Sequence, residues 1–325
     1  MHAEARVVPA EGPRPHAALK RWLGRAFLLL VAVLLLRLAQ RVDWAAAWQA
    51  LQALPASTLA AAGGLCALSH LLYSSYDLIG RHQTQHGLPA ARTAAVGFMS
   101  YAFNLNLGAL VGGVAFRYRL YASLGLETPT VTRVLLLSML TNWLGYFVLA
   151  GVTLLLWPPD LPASWGLAHS ALPVAGGALL LVAAAYLAAC FAAGGKTWRW
   201  RSHAFTLPSG RVALLQLVLA SCSWALIAGI VWTLLQQRLP YPLVLGALLT
   251  AAVAGVVTHV PAGLGVLEAV FVLLLGNRLP QAELLGALLA YRALYYLLPL
   301  LLASALFFVF NAQKRKGGRS RPSVG

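Results

Sequence analysis

The residues best suited to bind a ligand lie where glycine, proline and asparagine interrupt two apolar segments. In the second segment, Pro261, Gly263 and Gly265 break an apolar run. The run continues after Gly265 and contains one acidic residue, Glu268. This spacing predicts a broken helix whose second half begins near residue 264. Free backbone N–H groups and the positive end of the helix dipole would gather at this break, where they can hold a phosphate or a carboxylate.

The first interrupted segment carries a comparable set of polar and small residues. Asn104 and Asn106 supply side-chain donors and acceptors, and Gly108 begins a glycine-rich run that allows close approach of the backbone. Arg117 follows, and it is a candidate ligand for a lipid phosphate or an exposed anchor at the membrane surface. The alternative for the glycines is that they only pack helix against helix.

Glu268 and Arg292 are the ionisable residues most deeply placed in apolar sequence. An unpaired charge at the centre of a bilayer costs about 2.5–3.5 kcal/mol on insertion scales, so the two should pair or face a polar interior. We interpret Arg292 as a headgroup ligand and Glu268 as its counter-charge or a proton-coupling group. A purely structural ion pair is the alternative. Asp77 is predicted to pair with Arg81, one helical turn later.

Composition identifies the elements that must position these residues. Of 325 residues, 60% are hydrophobic and 10% are charged, whereas a soluble domain has about 25% charged residues. The runs are rich in Leu and Ala and reach the roughly 20 residues with which a helix crosses the hydrocarbon core. The sequence therefore predicts an all-α polytopic membrane protein, with full spans at 22–40, 57–79, 131–157, 171–193, 212–236 and 282–310.

The two interrupted stretches, 93–125 and 243–276, are predicted to be re-entrant helical hairpins. This arrangement keeps most basic residues between the spans on the cytoplasmic side, as the positive-inside rule requires. Each hairpin leads into a full span, so 93–157 and 243–310 are predicted to form an inverted repeat of the kind found in transporters. The membrane domain would cover 22–310, between basic cytoplasmic termini at 1–21 and 311–325.

Several classes of function are excluded by composition and motif. The net charge of +16 comes from basic residues at the termini and between apolar runs, which membrane orientation explains without nucleic acid. The three cysteines are scattered through apolar segments and predict neither a metal site nor a disulfide framework. No hydrolase or nucleotide-binding motif occurs, so neither a cofactor nor an ordinary enzymatic activity is expected.

Four runs of this sequence resemble the lysylphosphatidylglycerol synthase transmembrane-region family. They are YAFNLNLGALVGGVAFRYRLYASLGL (101–126), TNWLGY (141–146), HVPAGLGVLEAVF (259–271) and AYRALYYLLP (290–299). In larger members of that family this membrane unit precedes a soluble aminoacyl-transferase domain and is regarded as a lipid flippase. Nothing similar to the transferase follows Phe310, so the resemblance implies the flippase-like part alone.

The resemblance is stronger in the second half of the chain than in the first. The family's second motif matches Pro261, Gly263, Gly265, Glu268 and Arg292. Its first motif usually has a proline and an acidic residue before the arginine, whereas here Gly108, Gly112 and Gly113 come before Arg117 and no acidic residue does. The acidic–basic pair common in the following span is replaced by Thr141 and Asn142.

The residues and the resemblance together predict a translocator in the bacterial inner membrane that handles an anionic phospholipid or an isoprenoid-linked lipid. One alternative is a non-transporting accessory protein that presents lipid to an envelope biosynthesis enzyme. Another is a membrane enzyme that modifies lipid headgroups. Membrane lipids, and not nucleic acid, are the expected partners.

We expect the segment 192–211 to be cytoplasmic and the segment 158–170 to be periplasmic, because basic residues are concentrated in the former. Single cysteines introduced as Ser164→Cys and Ser202→Cys, in a background without the native cysteines, test this topology. An impermeant thiol reagent applied from the periplasmic side should label position 164 and not position 202. Labelling of position 202 without position 164 would contradict the re-entrant arrangement.

Overall fold

The structure, a computed structural model, describes residues 51–159, 170–200, 203–258, 260 and 263–319, with isolated positions at 29, 33, 45 and 49. Most of these residues are helical. In chain order the helices are α1 (Ala56–Thr84), α2 (Ala90–Leu107), α3 (Phe116–Ser123), α4 (Thr128–Leu156), α5 (Ala171–Ala193), α6 (Gly210–Leu234), α7 (Tyr241–Thr258), α8 (Val266–Leu275), α9 (Gln281–Tyr291) and α10 (Leu298–Arg319). Two π-helical segments, Ala109–Ala115 and Arg292–Leu297, join α2 to α3 and α9 to α10.

Six helices of the described chain are long and apolar enough to cross a membrane. They are α1, α4, α5, α6, α7 and the continuous helix Gln281–Phe310. Five of them match predicted spans, and the sixth, α7, is the first limb of the predicted second hairpin. The predicted span 22–40 lies outside the described residues, apart from positions 29 and 33. The polytopic helical class predicted from composition is thus confirmed.

Proline sets the start of several helices. Pro55, Pro89 and Pro280 stand at the N-caps of α1, α2 and α9, and Pro129 lies in the first turn of α4. Proline is tolerated there because the first backbone N–H groups of a helix have no intrahelical acceptor. These boundaries are therefore fixed by local sequence.

The chain folds back on itself after α2, which produces the first predicted hairpin. The break is at Gly108, whose φ of 83° is unfavourable for residues with a Cβ. The first π-helical segment and α3 then pack against α2, and the Phe103 and Phe116 rings stack with centroids 4.0 Å apart. A Cβ at Gly112 would lie 2.2 Å from the Phe103 carbonyl oxygen, so this glycine serves close packing.

The second hairpin is made by α7 and α8, which also pack against each other. Gly263 and Gly265, between them, have positive φ values of 55° and 80°. Both predicted hairpins are therefore present as helical hairpins, while their depth in a bilayer stays a prediction.

The order of elements is the same in the two parts of the described chain that contain the hairpins, while the inverted repeat of 93–157 and 243–310 stays a prediction. A long helix, α1 or α6, precedes an 18-residue helix, α2 or α7, in each half. A break with a positive-φ glycine, a short returning helix and a long helix then follow. Helix α5 stands between the halves and packs against α4 and α6.

One short β-hairpin is the exception to the all-helical prediction in the described chain. Thr197–Trp200 pairs antiparallel with His203–Thr206, with Thr197 opposite Thr206. It follows α5 in the basic segment 192–211, which is predicted to be cytoplasmic.

Gly112→Ala is expected to destabilise the folded protein by about 1–3 kcal/mol, because the new methyl group overlaps the backbone of α2. Thermal unfolding in detergent, followed by circular dichroism, measures the change. Gly177→Ala in α5 is the control, since a Cβ there meets nothing within 4 Å and alanine favours a helix. Equal melting temperatures for the two variants would contradict the close packing of the first hairpin.

Candidate functional site

The candidate site is built around the N-terminus of α8, at the break of the second hairpin. Gly265 caps this helix, and its backbone N–H donates to Glu268 Oε2 over 3.0 Å. The carboxylate thus lies in the first turn, where the positive end of the helix dipole stabilises a negative charge. The Glu268 carboxylate thus lies at the helix N-terminus, where the sequence analysis predicts a bound anion.

Arg292 joins this helix terminus to the last span. Its Nε donates to Glu268 Oε1 over 2.5 Å, and its Nη2 donates to Glu268 Oε2 over 2.9 Å. Nη2 also donates to the Gly263 carbonyl oxygen over 2.9 Å. This two-pronged contact is the geometry in which guanidinium and carboxylate bind most strongly. The predicted ion pair between Glu268 and Arg292 is confirmed.

The ion pair is only partly shielded by the described protein. The side chains of Arg292 and Glu268 are 10% and 19% exposed. A Cβ at Gly263 or Gly265 would meet no atom of the described residues within 4 Å, so the described part of the chain leaves open space at the break. An anion reaching this space would compete with Glu268 for the guanidinium and for the Gly265 N–H group.

The first hairpin contacts the same part of the last span. Asn106 Nδ2 donates to the Tyr296 carbonyl oxygen over 3.1 Å and to the Ala102 carbonyl oxygen over 2.8 Å. Tyr296 also faces Arg292, whose Cζ is 5.4 Å from the ring centroid, within range of a cation–π contact. The second π-helical segment, Arg292–Leu297, therefore receives contacts from both hairpins.

Hydroxyl groups connect this segment to two further helices. The Tyr295 hydroxyl lies 2.9 Å from Ser69 Oγ of α1 and 2.9 Å from the Tyr101 hydroxyl of α2. Sequence reasoning did not identify Ser69 and Tyr101 as partners of Tyr295. No sequence signal marks them, because the bonded residues are 226 and 194 positions apart in the chain.

Arg117 is not in this cluster. It is buried and forms an ion pair with Asp77 of α1, with Nη2 3.3 Å from Oδ1 and side-chain exposures of 3% and 0%. The Tyr121 hydroxyl donates to Asp77 Oδ2 over 2.7 Å. The alternative that Arg117 is an exposed anchor and the prediction that Asp77 pairs with Arg81 are therefore wrong. The reason is tertiary: α3 packs against α2 and α4, which brings the side chains of Arg117 and Tyr121 to Asp77. Arg81 Nε instead donates to the Leu88 carbonyl oxygen.

The remaining predicted site residues have separate positions. Asn104 lies beside Gly113, where a Cβ would come 2.9 Å from Asn104 Oδ1, and Gly108 forms the break of the first hairpin. Pro261 lies outside the described residues. Within the described ranges, no group of three or more His, Cys, Asp or Glu side chains could hold a metal ion.

Glu268 and Arg292 should be energetically coupled, since removal of either leaves the other charge poorly solvated. We expect a double-mutant cycle with Glu268→Gln and Arg292→Met to give a coupling of about 1–3 kcal/mol in unfolding free energy in detergent. The exposed pair of Arg238 and Glu283 provides the control, because exposed pairs couple by less than about 1 kcal/mol. Additive effects at Glu268 and Arg292 would show that the pair is energetically unimportant.

Comparison with known proteins connects this geometry to a family. The sequence profile of the lysylphosphatidylglycerol synthase transmembrane region matches residues 24–303. The chain is 41% identical to the inner membrane protein YbhN of Escherichia coli over 298 residues, which cover 91% of this chain and 94% of that relative. It is 32% identical to an uncharacterized protein of Synechocystis over 288 residues, covering 86% and 88% of the two chains.

The match extends over both hairpins and the spans that follow them. It includes the Glu268–Arg292 pair and the second π-helical segment, as well as the buried ion pair of Arg117 and Asp77. The polytopic membrane protein is thereby linked to lipid handling, and the chain belongs to the lysylphosphatidylglycerol synthase transmembrane-region family.

Proposed function

We propose that the protein is a lipid translocator of the bacterial inner membrane, which passes an anionic headgroup between its two hairpins. The observation that carries the proposal is the partly exposed Arg292–Glu268 pair at the broken end of α8. The family link to lipid handling supports the choice of ligand, and the similarity to the inner membrane protein YbhN of Escherichia coli supports the choice of membrane. Anionic phospholipid and isoprenoid-linked phosphate share the chemistry that this site would recognise.

Recognition would proceed by exchange of one anion for another. A phosphate can accept two parallel N–H bonds from a guanidinium, as Glu268 does in the structure. It can also accept from the Gly265 N–H group at the helix terminus. A headgroup at this position would therefore replace Glu268 without leaving Arg292 unpaired.

Glu268 would act as a competitor that returns when the headgroup leaves. A displaced carboxylate must meet water or take up a proton, because a charged carboxylate is costly in an apolar environment. The exchange thus provides a point at which lipid binding and proton uptake can be coupled. Direct reformation of the ion pair would prevent Arg292 from being left as an isolated charge.

The second π-helical segment would transmit this exchange to the first half of the protein. Arg292 begins the segment, and Asn106 of the first hairpin donates to the carbonyl oxygen of Tyr296 within it. A shift of Arg292 toward a headgroup therefore acts on contacts with both hairpins. Single π-helical turns within α-helices are frequent at functional sites, and movement of one repeat against the other is how inverted-repeat transporters alternate access.

We assign a different role to Arg117. Its pair with Asp77 is almost completely buried and is reinforced by the Tyr121 hydroxyl. The pair would hold α3 against α1 and keep the first hairpin in place. It is therefore a positioning contact in this proposal, while Arg292 is the headgroup ligand.

Two substitutions separate binding from exchange. Arg292→Lys should reduce retention of phosphatidylglycerol about fivefold to tenfold, because an ammonium cannot make the two-pronged contact of a guanidinium. Glu268→Gln should increase retention, because the competing charge is gone, and should slow transbilayer movement. Retention is measured by mass spectrometry of co-purified lipid, and movement by a fluorescent phosphatidylglycerol in reconstituted vesicles.

Arg238→Lys, in the exposed pair with Glu283, is the matched control and should leave both readouts unchanged. If a well-folded Arg292→Lys protein retains and moves lipid as the wild type does, the site assignment is wrong. Wild-type protein that retains phosphatidylglycerol but does not accelerate its movement would favour an accessory protein that presents lipid to an enzyme.

A further inference from the structure

A cavity of about 450 Å³ lies between α1, α2 and the last span. Its wall is made mainly of small and aliphatic side chains, with Gly63 and Leu71 from α1, Phe98 from α2, and Leu298 and Leu302 from α10. The volume is roughly three times that of the 150 Å³ apolar cavity that stays dry and binds benzene. Such a cavity suits a hydrocarbon chain.

The cavity faces the hydrocarbon region of a bilayer. Helix α1 and the continuous helix Gln281–Phe310 are both long and apolar enough to span the membrane. Leu71, Leu298 and Leu302, which line the cavity, are exposed on the surface of the described protein. A lipid chain can therefore enter from the side, without passing through water.

Among the residues that line this apolar cavity, His70 has a ring nitrogen that can accept a hydrogen bond. Its Nδ1 is 3.0 Å from the Cys66 carbonyl oxygen, and because a carbonyl only accepts, Nδ1 carries the hydrogen. Nε2 is then an acceptor, and it is buried without a hydrogen-bond partner in the described chain. His70 is only 4% exposed, and it is one of the residues that line the cavity.

None of the three rings described around His70 forms a hydrogen bond with this nitrogen. Tyr101 lies at 5.3 Å, and its hydroxyl group is bonded to that of Tyr295. Phe98 is edge-on to the His70 ring at 5.8 Å, and Tyr295 is edge-on at 4.7 Å. The hydroxyl group of Tyr295 is already bonded to those of Ser69 and Tyr101. An unsatisfied buried acceptor is costly, so a donor supplied by an occupant of the cavity would be favourable.

We propose that the cavity binds a lipid alcohol, with its chain between α1, α2 and α10 and its hydroxyl group donating to His70 Nε2. A neutral donor fits, because the described residues that line the cavity include no Lys, Arg, Asp or Glu. A phosphate or carboxylate has no hydrogen to donate when ionised and would be poorly solvated there. The site is separate from the Arg292–Glu268 pair and does not depend on lipid translocation.

Photolabelling of the full-length protein in detergent tests the proposal. The probe is a 1-hexadecanol that carries a photoactivatable diazirine on its chain, and labelled peptides are identified by mass spectrometry. We expect labels on the cavity walls in α1, α2 and α10. Unlabelled 1-hexadecanol should compete at about a tenfold lower concentration than 1-methoxyhexadecane, which has the same chain but cannot donate a hydrogen bond.

Matched variants locate the occupant. Gly63→Leu should reduce labelling at least about tenfold, because Gly63 lines the cavity, a Cβ there meets no described atom within 4 Å, and the longer side chain would take up space in the cavity. Gly64→Leu, at the neighbouring exposed position outside the lining, should label as the wild type does. His70→Phe should still be labelled but should lose the preference for the alcohol over the ether.

Three results would overturn the proposal. Equal competition by the alcohol and the ether would remove the role of His70, and unchanged labelling of Gly63→Leu would remove the cavity. The third is an absence of labelling together with efficient disulfide cross-linking of Gly63→Cys to cysteines introduced within 22–40. That result would mean that this segment of the chain itself fills the space.

Discussion

Charges and broken helix ends in the apolar body of this protein must find their partners within the protein. Water is scarce there, so an unpaired charge or backbone group retains most of its desolvation cost. Glu268 meets this constraint twice, because its carboxylate accepts from the end of α8 and from Arg292. Arg292 in turn bonds the Gly263 carbonyl oxygen. The second hairpin and the last span are thus held together by the groups that most need neutralisation.

The two halves of the chain satisfy this constraint with opposite placements of charge. In the first half, the arginine lies on the returning helix of the hairpin and the acid, Asp77, lies on the preceding long helix. In the second half, the acid lies on the returning helix and the arginine on the following one. Only the second pair is partly exposed. Both pairs contain an arginine and a carboxylate. The degree of burial therefore distinguishes Arg292, the candidate headgroup ligand, from Arg117, which has a structural role in our proposal.

The second π-helical segment relates the two proposed sites to each other. Arg292 begins it, Tyr295 contacts α1 and α2 through hydroxyl groups, and Leu294 lines the apolar cavity. Ligand exchange at Arg292 and occupancy of the cavity would therefore act on neighbouring turns of one helix. Because both hairpins also contact this helix, it is the element through which events in one half can reach the other.

The sequence by itself determined the membrane class, most of the spans and the positions of the helix breaks. Transfer free energy and the special conformations of glycine and proline are local properties, so they can be read along the chain. The Glu268–Arg292 pair was also predictable, because few charges occur in apolar sequence and each needs a partner.

Only the tertiary structure decided which groups meet across the fold. The pairing of Asp77 with Arg117 rather than Arg81 depends on how α3 packs against α2 and α4. The contact of Asn106 with Tyr296 and the cavity beside His70 depend equally on where the last span crosses α2. These contacts join residues far apart in sequence, and their geometry is set by side-chain packing between helices, which no periodicity or motif in the chain encodes.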